Sequence, residues 1–166
     1  MKNKLWGGRF SKPTNKLVEE FTNSIHFDYK LAKYDCISSL AHISVLKKAK
    51  LLNNNEYSAL NKALYSILKS IEKGSFKVDT SFEDIHSYIQ YLVEKKAGKA
   101  GLKLHTCRSR NEQVAVATRL YIEDTAFQTF SLTHGLIGIL EKLAKANKNI
   151  RVNGIFPKRN RKICLC

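Results

Sequence analysis

The chain has 166 residues, 43% of them apolar, and a formal charge of +15 from 29 basic and 14 acidic side chains. It fits one domain or a piece of a larger one, and its apolar content excludes a compositionally disordered chain. The excess charge invites a polyanion reading, but most of it is lysine spread along helical stretches, so nucleic-acid binding is not the expected function.

In chain order, Leu5-Trp6-Gly7-Gly8-Arg9-Phe10 predicts a tight turn, because paired glycines stand between aromatics. It reads as an ordered arm pinned by Trp6 and Phe10. From Thr14, a candidate cap, Leu17, Val18 and Phe21 share one face of a first helix that stops near Asn23-Ser24. Ser24 is then a loop residue, and Asp28 can cap a second helix to about Lys50, with Leu31, Tyr34, Ile37, Leu40, Ala41 and Val45 inward. After the turn Asn53-Asn54-Asn55, the spacing of Tyr57, Leu60, Leu64, Ile67, Leu68 and Ile71 predicts a third helix ending in a C-capping Gly74. Ser81 is expected to open a fourth helix, with Glu83-Asp84-Ile85-His86 in its first turn and Gly98 as its stop. Gly98 to Cys107 is a connector. From Arg110 to about Asn147 no strong breaker appears, which predicts a helix roughly 55 Å long at 1.5 Å per residue. Its apolar positions spread over more than one stripe, so it needs several packing neighbours, from other subunits or from sequence not in this chain.

The stretch from His105 to Gln113 holds the densest set of candidate functional residues. Ser109 and Glu112 form an S-x-x-E capping box at the start of the long helix. The positive end of the macrodipole attracts anions, and Arg108, Arg110 and the Asn111 amide lie in the same turn. In outline this is a carboxylate or phosphate receptor; the plainer alternative is a well-capped surface helix with solvated arginines. The acidic pair Glu83 and Asp84 suits a helix start whatever the function. Cys36, Cys107, Cys164 and Cys166 show neither metal-ligand spacing nor a disulfide framework, so no metal is expected. The N-terminus lacks the apolar run of a signal peptide, and no apolar stretch approaches the roughly 18 residues that span a bilayer. A cytoplasmic location without a membrane partner is the expectation.

Leu5 to Phe10, Ser24 followed by Phe27-Asp28, Glu83-Asp84-Ile85-His86-Ser87, and Lys103-Leu104-His105-Thr106 running into Arg108-Ser109-Arg110-Asn111 resemble argininosuccinate lyase, of the fumarase/aspartase superfamily, over residues 1 to about 150. The resemblance implies an all-α fold: an N-terminal helical domain over 1–108, then at 109–150 the first long helix of a central helical bundle, in a homotetramer whose sites each draw on three subunits. It also implies a small-molecule substrate (argininosuccinate, with fumarate and arginine as products), no cofactor, and no metal. By position, Ser24, Thr106, Arg110 and Asn111 match or adjoin substrate-binding residues, and Arg108 and Asp84 support them.

The family has Gly where this chain has Cys107, and Asp where it has Glu112. A Gly before an anion-binding turn often takes φ > 0 or allows close approach. Residues 151–166, with five basic side chains and no helical period, depart from the Pro-Gly-Tyr-Thr-His segment that bears the family's proposed acid. The later serine loop with the proposed base is also not matched. The expectation is therefore a truncated chain with a disordered basic tail, no catalytic residue of its own and no activity alone. The alternatives are a non-catalytic interaction or structural protein built on the same fold start and, on charge alone, a nucleic-acid binder.

Overall fold

The computed structural model describes residues 15–150, and every regular element among them is helical. The arm at Trp6 to Phe10, the candidate cap Thr14 and the tail at 151–166 lie outside the described residues. The chain divides into two units, the first ending at Ile122 and the second starting at Glu123.

In the first unit, α1 (Lys16–Thr22) is capped by Asn15, whose side chain accepts the Leu17 N–H at 2.9 Å. The apolar face predicted there is not buried, and Phe21 is 91% exposed. The predicted second helix is three pieces: α2 (Ile25–Asp28), a 3-10 turn (Tyr29–Leu31) and α3 (Ala32–Lys48). Ser24, read as a loop residue, stands at the N-terminal boundary of α2. Asp28 does not cap the helix that follows it, because its buried carboxylate is turned toward the Ser24 hydroxyl and the Ile85 N–H.

The face of α3 also differs from the reading. Ala32, Asp35, Cys36, Ser39, Ile43 and Leu46 are buried, while Ile37, Ala41 and Val45 are exposed. Counting apolar residues missed it because two polar side chains, Asp35 and Ser39, face inward, where Gln113 meets Asp35 Oδ1 and Arg108 meets Ser39.

α4 (Asn54–Glu72) starts with a full capping box, Glu56 N–H to Asn53 Oδ1 at 2.8 Å and Asn53 N–H to Glu56 Oε2 at 3.0 Å. Gly74, at φ +68°, follows its end as predicted. α5 (Ile85–Ala97) starts four residues later than Ser81. The Ser81 N–H bonds the Asp79 carboxylate and folds that segment into a side-chain-closed turn, leaving Asp84 as the cap that accepts the Ser87 N–H at 2.6 Å.

α3, α4 and α5 enclose the core, in which Ile43, Leu60, Leu64, Ile67, Ile85, Ile89 and Val93 are buried. Each contributes about 1.5–3 kcal/mol relative to exposure. A 3-10 stretch (Gly98–Lys103) packs back on α5 so closely that a Cβ on Gly101 would lie 2.5 Å from the Glu94 Cα.

α6 runs from Arg110 to Asn147, with the bounds read from the sequence. Its buried residues, Gln113 and Ala117, belong to the first unit. In the second unit Phe127, Phe130, Leu132, Leu136, Ile139, Leu140 and Leu143 are all more than half exposed, Leu132 at 76%. No helix among the described residues is long and apolar enough to cross a membrane.

Candidate functional site

The loop before α6 is pinned through its backbone. Thr106 donates its N–H to the Lys103 carbonyl at 3.1 Å, and Arg108 donates to that of His105 at 3.2 Å. His42 Nε2 lies 2.9 Å from the Thr106 carbonyl oxygen. A carbonyl only accepts, so this nitrogen carries the proton. Burial lowers the pKa of His42; the bond to Thr106 opposes that shift and the charge of Arg108 adds to it. His105 is lowered as well, first by burial and then by Arg110 and Arg108.

Cys107 adopts φ +55°, the left-handed region. The residue type expected at this position, glycine, is the one that takes this conformation without a Cβ penalty. The capping box at Ser109 is half formed. Glu112 Oε2 accepts the Ser109 N–H at 3.1 Å, but Ser109 Oγ accepts from Asn111 N–H at 3.3 Å instead of from the Glu112 N–H.

The two arginines diverge. Arg108 turns into the interior, where both terminal nitrogens reach Ser39 Oγ at 3.2 Å and burial depresses its pKa, an effect that Asp35 partly offsets. Arg110 stays half-buried at the surface and donates from one terminal nitrogen to Gln113 Oε1 at 3.1 Å and from the other to Ser87 Oγ at 3.2 Å. Gln113 is buried, and its Nε2 donates to Asp35 Oδ1 at 2.7 Å. His86 Nδ1 lies 3.4 Å from the same oxygen, without hydrogen-bond geometry.

A second knot forms at Ser24. The Glu83 carbonyl accepts the N–H groups of Ser24 and Ile25 at 2.9 and 3.2 Å. Ser24 Oγ donates to Asp28 Oδ2 at 2.6 Å, and Asp28 Oδ1 accepts the Ile85 N–H at 3.2 Å. The Asn23 amide nitrogen donates to the carbonyls of Phe82 and Glu83, an orientation fixed because carbonyls can only accept. Burial raises the pKa of Asp28, and its bonds to Ser24 and Ile85 oppose the rise.

The N-terminus of α5 spans these two knots. Glu83 and Ile85 hold the Ser24 segment, Asp84 caps the helix, and Ser87 anchors Arg110. Among the described residues no hydrogen bond joins Ser24 directly to Thr106, Arg110 or Asn111. Asn111 is exposed in the first turn of α6. Thr106 offers its carbonyl to the scaffold, and both terminal nitrogens of Arg108 are turned inward to Ser39. What the arrangement can do is hold a small anion: among the described residues Arg110 has two hydrogen-bond partners for its five N–H donors, beside the positive end of a long helix.

Asp35, Ser39 and His42 were not singled out in the sequence, and Ser87 and Gln113 were named only as members of motifs, with no role. The signal for the first two was polar residues at helical spacing within the stripe Ala32, Asp35, Cys36, Ser39, Ile43. Two surface depressions among the described residues, one of about 500 Å³ lined by Asn55, Ser58, Lys62 and Lys96 and one of about 330 Å³ around Tyr29, Phe76 and Val78, share no residue with this loop. Among the described residues no group of three metal-ligating side chains occurs.

An all-helical chain with arginines at the start of a long helix fits the lyase family, whose model matches residues 8–155, and the chain belongs to that family. It is similar to argininosuccinate lyases in particular. It is 42% identical over 151 residues to that of Oceanobacillus iheyensis, covering 91% of this chain and 33% of that protein. The argininosuccinate lyase of Syntrophobacter fumaroxidans is 40% identical over 154 residues (93% and 33%), and that of Geotalea daltonii is 44% identical over 151 residues (91% and 32%). The chain thus spans about a third of the length of the curated relatives it matches.

Proposed function

We propose that this chain forms one wall of an argininosuccinate lyase site, at which fumarate is eliminated from argininosuccinate to leave arginine. In this reaction a base removes a proton next to a carboxylate, negative charge builds up on that carboxylate, and an acid protonates the departing guanidinium nitrogen. Ser24, Thr106, Arg110 and Asn111 contact the substrate in this reading. Arg108 and Asp84 hold the loop and the α5 start that present them. The base and acid are assigned to no residue of this chain.

The observation that carries the proposal is the Arg110 guanidinium, fixed by Gln113 and Ser87 at the capped start of α6, beside Asn111. Family membership and similarity to argininosuccinate lyases support the particular reaction. The exposed apolar residues of α6 support assembly, as a homotetramer in this reading, because a stripe of that size exceeds what a monomer leaves in water. A cytoplasmic role in arginine synthesis follows from the same reading, with residues 1–108 as the N-terminal domain and 109–150 as the first bundle helix.

The test is titration of the chain with fumarate, following the backbone amides of residues 106–113 by NMR. One wall of a site should bind no tighter than about millimolar. Asn111→Ala should weaken binding by roughly 1–3 kcal/mol, the range for a hydrogen bond to a charged group. Equal shifts in wild type and variant, or shifts centred on residues 158–162, would refute the assignment. The chain alone should release no fumarate from argininosuccinate.

A further inference from the structure

We propose that Asp35 is a positioning residue that acts through Gln113 to orient the Arg110 guanidinium, a role that rests on the anion-binding reading of Arg110 given above. Asp35 sits in the first turn of α3, fully buried, in the same inward-facing stripe as Ala32, Cys36 and Ser39, where an apolar side chain would fill the same space. Burying a carboxylate without a full set of partners is costly, and here Oδ2 has no hydrogen-bond partner among the described residues. Packing alone does not explain such a residue. Its Oδ1 meets Gln113 Nε2 at 2.7 Å.

The direction of the relay follows from donor and acceptor chemistry. A carboxylate only accepts, so it draws the NH2 end of the Gln113 amide toward itself, and the carbonyl end is left facing outward. A guanidinium only donates, so Arg110 is drawn to that carbonyl, at 3.1 Å. Ser87 Oγ receives the other terminal nitrogen at 3.2 Å, and two anchors on two different nitrogens fix the plane of the group. With Asp35 removed, the amide loses the partner that sets its orientation, and an inverted Gln113 would present donors to a donor. The three elements are α3, α5 and α6, so the first turn of α6 is keyed to the core at this point. Arg108, bound to Ser39 one turn along α3, fixes the preceding loop to the same helix.

The experiment has a ligand-free arm and a binding arm, both on the full chain. In the first, side-chain NMR reports rotation about the Arg110 Nε–Cζ bond. Wild type should show slow rotation with separate Nη signals, and Gln113→Leu should show averaged ones. Asp35→Asn, which keeps an acceptor oxygen at the same place, should retain the slow rotation, while Asp35→Ala should not. Ser87→Ala, which removes one anchor without touching the core, should speed rotation on its own and serves if the Asp35 or Gln113 variants do not fold. In the second arm, fumarate is titrated into wild type, Gln113→Leu, Arg110→Gln and the double variant. Loss of one pre-organised side chain should weaken binding by about 3- to 10-fold, and Gln113→Leu should cause no further loss once Arg110 is gone. Unchanged Arg110 rotation in both Gln113→Leu and Ser87→Ala would overturn the relay. Equal effects of Gln113→Leu with and without Arg110 would reduce Gln113 to a structural residue and also overturn it. If Arg110→Gln leaves fumarate binding unchanged, the anion-site reading falls, while the rotation measurement still decides the relay.

Discussion

Replacing Cys107 by glycine should stabilise the protein, although it deletes a side chain. The residue holds φ +55°, a conformation that costs an L-residue with a Cβ roughly 1–2 kcal/mol. Its side chain is exposed, so its removal forfeits little packing. Against this gain stands the greater freedom of glycine in the unfolded chain, about 0.4–1 kcal/mol. The net expectation for Cys107→Gly is a gain of about 0.5–1 kcal/mol, read as a higher urea midpoint at unchanged slope. Cys107→Ala isolates the cause, because it removes the thiol and keeps the Cβ. The alanine variant should therefore stay near wild type and fall below the glycine variant. If alanine matched or exceeded glycine, backbone strain at this position would not be the reason for the difference.

The 3-10 stretch should be as intolerant as the loop is forgiving: the Cβ of Gly101→Ala would meet the Glu94 backbone at 2.5 Å, which neither helix can relieve by rotating a side chain, so a loss of about 1–3 kcal/mol in thermal or urea unfolding is expected. A loss under 0.5 kcal/mol would mean that the two segments separate freely. Burial of His42 should make the fold less stable in mild acid. The pKa of His42 is depressed on folding below its ordinary 6.5, so the unfolded chain takes up the proton first and stability falls as pH drops below about 6.5. His105 is depressed in the same direction and contributes alongside it. His42→Gln can keep a donor for the Thr106 carbonyl without titrating, and its urea midpoint should vary less between pH 7 and pH 5 than that of wild type. An identical slope in the two proteins would assign the acid sensitivity elsewhere.

The long helix and the Gly74 stop were legible in the sequence because each is written in neighbouring residues; the Asn53–Glu56 capping box is equally local, but the segment was read only as a turn. Periodicity failed where side chains from distant segments decide the geometry. Asp28 looks like a helix cap until Ile85, 57 residues away, presents its N–H to the carboxylate. Ser81 looks like a helix start, but Asp79 two residues before it captures its N–H and moves the start to Ile85. The inward face of α3 was misread for the same reason, since Asp35 and Ser39 are acceptable in a core only because Gln113 and Arg108 come to meet them. The placement of Arg110 and Asn111 in the first turn of α6 was legible from the cap signal. Their supports, Gln113, Ser87 and Asp35, depend on tertiary contacts that no spacing rule encodes.

The thiol of Cys36 lies in the core on α3 with none of its surface exposed, and burial pushes its pKa far above the usual cysteine range, with Asp35 adding to the shift. Alkylating reagents attack the thiolate, so this cysteine is protected twice, by access and by ionisation. Cys107 is exposed and should react at once. Rapid labelling at residue 107 and slow labelling at residue 36, separated by peptide mapping, would time how often the α3–α4–α5 core opens. The native chain thus carries an internal clock for local unfolding, which needs no added probe.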